Sequence, residues 1–133
     1  MERAEIAELF YAALIGSDDV EQLFRFLSRR VEWILSAADP QTLDEQSPQN
    51  AIKFSGRQGF RELAIYFRDR LNVISGDLTG CISHYHLVFT FGRVRLQNSA
   101  ADQLAETDIA AKITFQGSKI IKGQIRISWP LLF

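Results

Sequence analysis

The chain has 133 residues, 47% of them hydrophobic and ten of them Phe, so it can bury one core and is expected to form a single domain over residues 1–133. Fifteen Lys and Arg against sixteen Asp and Glu leave a formal charge of −1, which excludes a basic footprint for nucleic acid or an anionic membrane. The one cysteine, Cys81, excludes an internal disulfide and a cysteine-rich zinc site.

The N-terminal segment MERAEIAELF alternates charged and apolar residues and lacks the apolar core of a signal peptide. No window reaches about 18 apolar residues, which is the minimum for a membrane span. Together with the low cysteine content, these features predict a soluble cytoplasmic protein.

The first segment predicts two helices joined by a tight corner. Apolar residues recur at helical spacing in the first: Ile6, Leu9, Phe10, Ala13 and Leu14. Gly16 then supplies a left-handed stop, and Ser17 or Asp18 can cap the next helix. The second helix is expected to bury one face and to end with two arginines: Val20, Leu23, Phe24 and Leu27, then Arg29 and Arg30.

Residues 31–35 are branched and aromatic and predict a short strand. Residues 36–50 are polar with two prolines, which marks a loop; a lid over a site and a disordered segment are both compatible with it. A third helix is expected after the SGRQG segment, with this buried face: Phe60, Leu63, Ala64, Phe67 and Leu71.

After residue 76 the apolar period changes to two, which predicts strands. The apolar parity flips across Gly92, so a turn or a bulge is expected there, within either one bent strand or a hairpin. Residues 99–103 are expected to turn, residues 107–115 to form a strand, and QGSK at 116–119 to form a hairpin before a last strand over 120–129.

Helices followed by strands predict an α+β domain with helices on one face of an antiparallel sheet. Both faces of the predicted strands carry apolar side chains, for example Val88 beside Phe89 and Ile120 beside Ile121. Because helices would cover only one face, we expect a homodimer that packs through the other face of the sheet.

The ordered segments YAALIGSDDVEQLFRFLSRRVEW, FSGRQGFREL and ETDIAAKITFQGSKIIKGQI resemble the SnoaL-like and ketosteroid isomerase-like proteins of the nuclear transport factor 2-like superfamily. The resemblance covers nearly the whole chain, although each motif alone is loose. It implies a cystatin-like cone: a curved antiparallel or mixed sheet, covered by three N-terminal helices, with a pocket between helices and sheet.

The resemblance also assigns roles to positions. Tyr11 corresponds to the tyrosine that stabilises the enolate oxygen in the isomerases, whereas Trp33 replaces the base aspartate and Ala111 replaces the oxyanion aspartate. A supporting tyrosine of the third helix falls at about Ala64. Indole is only a hydrogen-bond donor, so the family's standard isomerase route is not expected.

The remaining inner positions predict an apolar pocket that needs no cofactor and takes a small flat or branched apolar ligand. Tyr11 would orient the ligand, and the expected lining is Trp33, Leu63, Phe67, Ala111, Ile113, Phe115, Ile125 and Ile127. The aliphatic and aromatic members of this set also fit a plain core.

His84 and His86 in the segment SHYH share one strand face and are the candidate acid and base. Two histidines with no acidic partner nearby in the sequence are more often surface or dimer-contact residues, and two ligands without a third do not predict a metal site. Two hypotheses follow. One is a cofactor-free isomerase, cyclase or dehydratase that acts on a small hydrophobic carbonyl compound through Tyr11 and these histidines. The other is a non-catalytic small-ligand-binding or dimerisation module that has lost the catalytic carboxylates.

Overall fold

A computed structural model describes residues 2–16, 20–37, 51–98 and 103–127. Within them the chain order is α1 (Arg3–Ile15), α2 (Glu21–Phe24), β1 (Leu27–Ala37), β2 (Ile52–Ser55), α3 (Gly56–Asp69), β3 (Val73–His84), β4 (Leu87–Asn98), β5 (Gln103–Gln116) and β6 (Lys119–Ile127). The expected corner at residues 17–19, most of the loop at 36–50, the turn at 99–102 and the strand end beyond 127 lie outside the described residues.

The six strands form one curved, mixed sheet in the order β2-β1-β6-β5-β4-β3. Strands β1 and β6 pair in parallel, and all other neighbours pair antiparallel. Strands β2 and β3 form the two edges, so the sheet is open. The α+β class and the curved sheet are confirmed, but α3 follows two strands instead of preceding the sheet.

Helices α1 and α3 lie against the inner face of the sheet, α1 over β3 and β4 and α3 over β1. The helical stripes predicted from sequence enter the core as expected, with Ile6 and Phe10 of α1 and Phe60 and Leu63 of α3 fully buried. Helix α1 ends at Ile15 as predicted. However, Gly16 has φ −89° and ψ −167°, so an extended residue ends the helix instead of a left-handed one.

The predicted second helix is wrong over most of its length. Helix α2 has only four residues, and β1 begins at Leu27, so Arg29 and Arg30 lie on a strand. The reason is tertiary: Leu27 pairs with Ile120 of β6, and the Ile120 amide donates to the Phe26 carbonyl over 2.7 Å. Burial of Leu27 in the core outweighs the weak helical preference of this segment.

No turn lies at Gly92, and the bulge expected there is present opposite it on β3, since Gly92 pairs with Leu78 and Phe91 pairs with Gly80. Strand β4 runs straight through it, and the turn lies earlier, at Tyr85 and His86. The even-numbered residues of β4 face inward throughout, Val88 and Val94 among them, whereas Phe89 and Phe91 face outward. The bulge lies in β3, where the register shifts between Leu78 and Gly80. The predicted hairpin at 116–119 is confirmed, with Gly117 at φ 62°.

At Gly123 of β6 the bare backbone of the sheet lies directly against the Trp33 ring. A Cβ atom on this residue would lie 2.6 Å from two ring carbons of Trp33. The ring is fully buried and has no free space into which to retreat. We therefore predict that Gly123→Ala lowers the free energy of unfolding by about 1–3 kcal/mol, measured by urea denaturation.

The matched control is Gly80→Ala on β3, where the nearest atom to an added Cβ would be 3.8 Å away, an ordinary contact. This variant is expected to unfold within about 0.5 kcal/mol of the wild type. Equal loss of stability in both variants would show that the loss is a general cost of removing a strand glycine.

Candidate functional site

Trp33 fills the centre of the fold, where the resemblance places the catalytic base. Its indole stacks on Phe10 of α1, with centroids 5.6 Å apart and planes 4° from parallel, and it contacts Phe60 of α3 at 5.0 Å. Its Nε1–H donates to the Gly56 carbonyl oxygen over 3.2 Å. The polar atom of Trp33 is therefore hydrogen-bonded to the start of α3, and its ring is part of the hydrophobic core.

Tyr11 extends from α1 to the inner face of β3 and β4. Its hydroxyl lies 3.1 Å from the Asp77 carbonyl oxygen and 3.4 Å from that of Arg93, so it donates to backbone groups of two neighbouring strands. Burial, with a smaller effect from the Asp77 charge, raises the pKa of Tyr11 to about 12. Gly92 makes room for this hydroxyl, since a Cβ atom there would collide with it.

The two histidines lie far from Tyr11. Both are exposed: His84 ends β3, His86 follows in the turn, and the His84 ring packs edge-on against Tyr85 at 4.5 Å. His84 is seven residues along β3 from Asp77, a separation of roughly 20 Å at strand rise. The structure therefore does not bring the three candidate catalytic residues together, and an acid and base role for His84 and His86 has no geometric support.

The other predicted ligand-binding residues form part of one hydrophobic cluster, and each is at most 2% exposed: Leu63, Phe67, Ala111, Ile113, Phe115, Ile125 and Ile127. The alternation predicted for the inner face of β5 and β6 is thus observed. These side chains pack against each other and against the helices, which is the core arrangement that the sequence also allowed. Among them, Phe67 also borders an open cleft.

That opening, here called the α1–α3 cleft, has a volume of about 600 Å³ and lies where the ends of α1 and α3 meet the start of β3. Its lining is mostly apolar, with Arg68 and Ser75 as its polar side chains: Ala13, Leu14, Ile15, Gly16, Val20, Ala64, Phe67, Arg68, Val73, Ile74, Ser75 and Gly76. A second opening of about 480 Å³ adjoins it beside Tyr11, and the two linings share Ile15, Gly16 and Gly76.

Most of this lining could not be predicted from the sequence, because its residues serve two purposes. Ala13, Leu14 and Ala64 belong to the same apolar stripes that fill the core, so their spacing carries no separate signal for a cleft. The available signal was Gly76, a glycine inside a strand pattern, which marks close approach of another group. Here that group is the Ile15 side chain.

No known family model matches the sequence, and no curated protein matches it. Solved structures do. A ketosteroid isomerase-like protein from Catenulispora acidiphila, in complex with trimethylamine, is 15% identical with a TM-score of 0.69, over 91% of this chain and 83% of that one. An NTF2-like protein from Burkholderia xenovorans is 18% identical with a TM-score of 0.71, over 98% and 92%. One of unknown function from Cytophaga hutchinsonii is 10% identical with a TM-score of 0.67, over 95% and 99%.

The chain has the nuclear transport factor 2-like fold. This confirms the resemblance of the sequence to the ketosteroid isomerase-like proteins at the level of the fold. At identities of 18% or less, the likeness extends to the backbone and not to ligand or chemistry. Within the described residues, no helix is long and apolar enough to cross a membrane, and no three His, Cys, Asp or Glu side chains are grouped as a metal site requires.

Tyr11→Phe tests whether the hydroxyl is structural. Removing it leaves the two strand carbonyls without this donor, so we expect the free energy of unfolding to fall by about 1–2 kcal/mol in urea denaturation at pH 8. Tyr66→Phe is the matched control, because Tyr66 contacts Phe54 through its ring at 6.2 Å. An unchanged stability in Tyr11→Phe would contradict the structural role.

The raised pKa of Tyr11 predicts how stability and tyrosine absorbance change with pH. The pKa of Tyr11 is about 12 in the folded chain and about 10 in an unfolded one, so the folded state holds this proton more tightly. The resulting stabilisation is complete below pH 10 and is lost as the pH rises towards 12. In an absorbance titration at 295 nm, Tyr11→Phe should therefore remove a tyrosine step centred near pH 12. Loss of a step near pH 10 instead would show that the hydroxyl is open to solvent.

Proposed function

We propose that this chain is a small-molecule-binding domain and that its ligand occupies the α1–α3 cleft. The observation that carries the proposal is the cleft itself, since a volume of about 600 Å³ falls within the range typical of ligand pockets. Apolar side chains from both helices and from β3 meet there around two polar ones. This pattern, an apolar wall with few polar groups, favours binding of a mainly apolar molecule.

The chemistry of the lining favours binding over catalysis. Among the described residues around the cleft, the ionisable side chain is Arg68, and a guanidinium does not exchange protons at neutral pH. The candidate acid and base residues lie elsewhere: Tyr11 donates to backbone carbonyls, and the histidines are exposed at the turn between β3 and β4. Among the described residues of this cleft, no side chain can therefore perform the proton transfer that an isomerase, cyclase or dehydratase needs.

The ligand class follows from the same residues. A flat or branched apolar body would contact Leu14, Phe67 and Val73, and a carboxylate or carbonyl oxygen at its edge would face Arg68. Arg68 is mostly exposed and pairs with Asp69 over 3.1 Å, so it can turn towards an incoming acid at low cost. The trimethylamine complex of the Catenulispora protein supports the proposal only in that a similar backbone accommodates a small molecule.

Ala64→Trp tests this site. Ala64 is half-buried on α3 and lines the cleft, so an indole there would occupy the space of the ligand. The fluorescent probe is 8-anilinonaphthalene-1-sulfonate, and steroids, polyketide-like aromatics and terpenoids serve as competitors for its site. We expect Ala64→Trp to bind the probe at least tenfold more weakly than the wild type does.

Ile65→Trp is the matched control, since Ile65 neighbours Ala64 but is 40% exposed and points away from the cleft. This variant should bind the probe as the wild type does. Equal binding by both variants would show that the probe binds elsewhere and would overturn the assignment of the cleft.

A second proposal concerns the outer face of the sheet, where we infer a homodimer. Ile82 is 58% exposed on β3, and it pairs with Phe89 beside Phe91 on β4, so an apolar patch faces away from the helices. Towards one end of the same face, Arg93 pairs with Asp108 over 3.4 Å and Arg95 with Glu106 over 3.2 Å. Because these charges are paired within the sheet, the face carries no net charge from them that would repel a second copy, and the apolar patch can pack against its own equivalent in a two-fold interface.

The dimer proposal predicts that Ile82→Lys halves the mass measured by size-exclusion chromatography with light scattering at micromolar concentration. A lysine in the middle of the patch would bury a charge at the interface without a partner. Ile65→Lys on α3, outside the patch, should leave the mass unchanged. A wild-type chain with the mass of a monomer would refute the dimer.

A further inference from the structure

Three cationic side chains line a third opening, here called the hairpin cleft. It has a volume of about 450 Å³ and lies between the start of β1, the start of α3 and the hairpin of β5 and β6. Arg29, Arg57 and Lys119 contribute to it from these three elements. It is at the opposite end of α3 from the α1–α3 cleft, so the two openings are separate.

The hairpin cleft carries positive charge without a carboxylate among its described lining residues. The described residues that line it include no carboxylate, and none of the three cations forms one of the ion pairs found among described side chains. The whole chain carries a formal charge of −1, so this local excess comes from placement and not from composition. Like charges brought together in a concave surface attract an anion from solution.

Two of the cations are held in place by backbone carbonyls. The Arg57 Nη2 donates to the Leu27 carbonyl oxygen over 3.2 Å, and the Lys119 Nζ donates to the Arg25 carbonyl oxygen. The Arg57 Nε is buried without a hydrogen-bond partner. A buried unpartnered N–H is unusual in a folded protein. Together these contacts describe a guanidinium with a fixed orientation and unused donor capacity.

We propose that the hairpin cleft binds the phosphate group of a small organic molecule. A phosphate monoester carries close to two negative charges at neutral pH and has three acceptor oxygens, which suits two guanidinium groups and an ammonium group. Arg57 would contribute the guanidinium donors that its bond to the Leu27 carbonyl leaves free, and exposed Arg29 of β1 would contribute a second guanidinium. Gln116 and Ser28 add neutral donors, and Ile121 offers an apolar surface for the organic part.

Isothermal titration calorimetry at pH 7.5 with phenyl phosphate as probe tests the proposal. We expect phenyl phosphate to bind more tightly than inorganic phosphate, which lacks the apolar part, and than benzenesulfonate, which has one charge. Phenol should not bind. Affinity should also fall as NaCl is raised from 50 to 300 mM, because exposed Arg29 is screened by salt. Benzenesulfonate or phenol binding as tightly as phenyl phosphate would overturn the assignment.

Arg29→Gln is the main variant, because Arg29 is exposed and its loss should not disturb the fold. Phenyl phosphate should bind about tenfold more weakly to it. Arg70→Gln removes the same charge from an exposed residue at the other end of α3 and should bind as the wild type does. Equal affinities in these two variants would mean that only the overall charge matters, which would refute a site.

Arg57→Lys separates charge from geometry. It keeps the positive charge but cannot present a planar fork, so weaker binding is expected even where circular dichroism shows an unchanged fold. Ala64→Trp should leave phenyl phosphate binding intact, which keeps this proposal independent of the α1–α3 cleft. Binding to vesicles that contain phosphatidic acid, with no binding of phenyl phosphate, would assign the surface to a lipid headgroup and overturn the small-molecule site.

Discussion

The contact between the Trp33 indole and the bare backbone of Gly123 is the constraint on which the rest of this structure depends. One ring joins four elements, because it belongs to β1, lies on β6, stacks under Phe10 of α1 and touches Phe60 of α3. Buried aromatic rings of this size typically contribute about 3–5 kcal/mol. The ring also sets how closely both helices approach the sheet, since its Nε1–H is bonded to the Gly56 carbonyl at the start of α3.

This constraint explains why the two proposed clefts lie at the ends of α3 and not at the middle of the cone. With Trp33 filling the centre, the helices and the sheet are in contact there, and Tyr11 reinforces that contact by bonding to the carbonyls of Asp77 and Arg93. The polar atoms of both residues donate hydrogen bonds to backbone carbonyl oxygens. The two proposed clefts therefore lie at the end of α3 near Phe67 and at its start near Arg57.

An element could be predicted from the sequence where local residues determine it, and could not where a contact with a distant part of the chain determines it. Helices α1 and α3 and the hairpin of β5 and β6 could be predicted because period, turn residues and burial agree locally. The start of β1 could not, because Leu27 is a strand residue only through its pairing with Ile120. The flip at Gly92 misled because both faces of β4 are apolar, and the tyrosine hydroxyl that requires this glycine comes from α1, 81 residues away.

The candidate sites follow the same division. Inner-face residues of β5 and β6 could be identified from alternation and a resemblance, but alternation reports burial and does not distinguish a core from a pocket. The hairpin cleft could not be predicted, because Arg29, Arg57 and Lys119 are far apart in the sequence and each is an ordinary surface cation there. Only the parallel pairing of β1 with β6, and the position of α3 against β1, bring them together.

The two proposed ligand clefts and the proposed dimer interface lie on separate parts of the molecule. The α1–α3 cleft is bounded by the two helices and the start of β3, and the hairpin cleft is bounded by the opposite end of α3 and the β5–β6 hairpin. The apolar patch of Ile82, Phe89 and Phe91 lies on the outer face of the sheet, away from both helices. A dimer formed through that face would leave both clefts of each copy open. The filled core would then act as a rigid support that holds two different ligand surfaces, one apolar and one cationic, at opposite ends of the same helix.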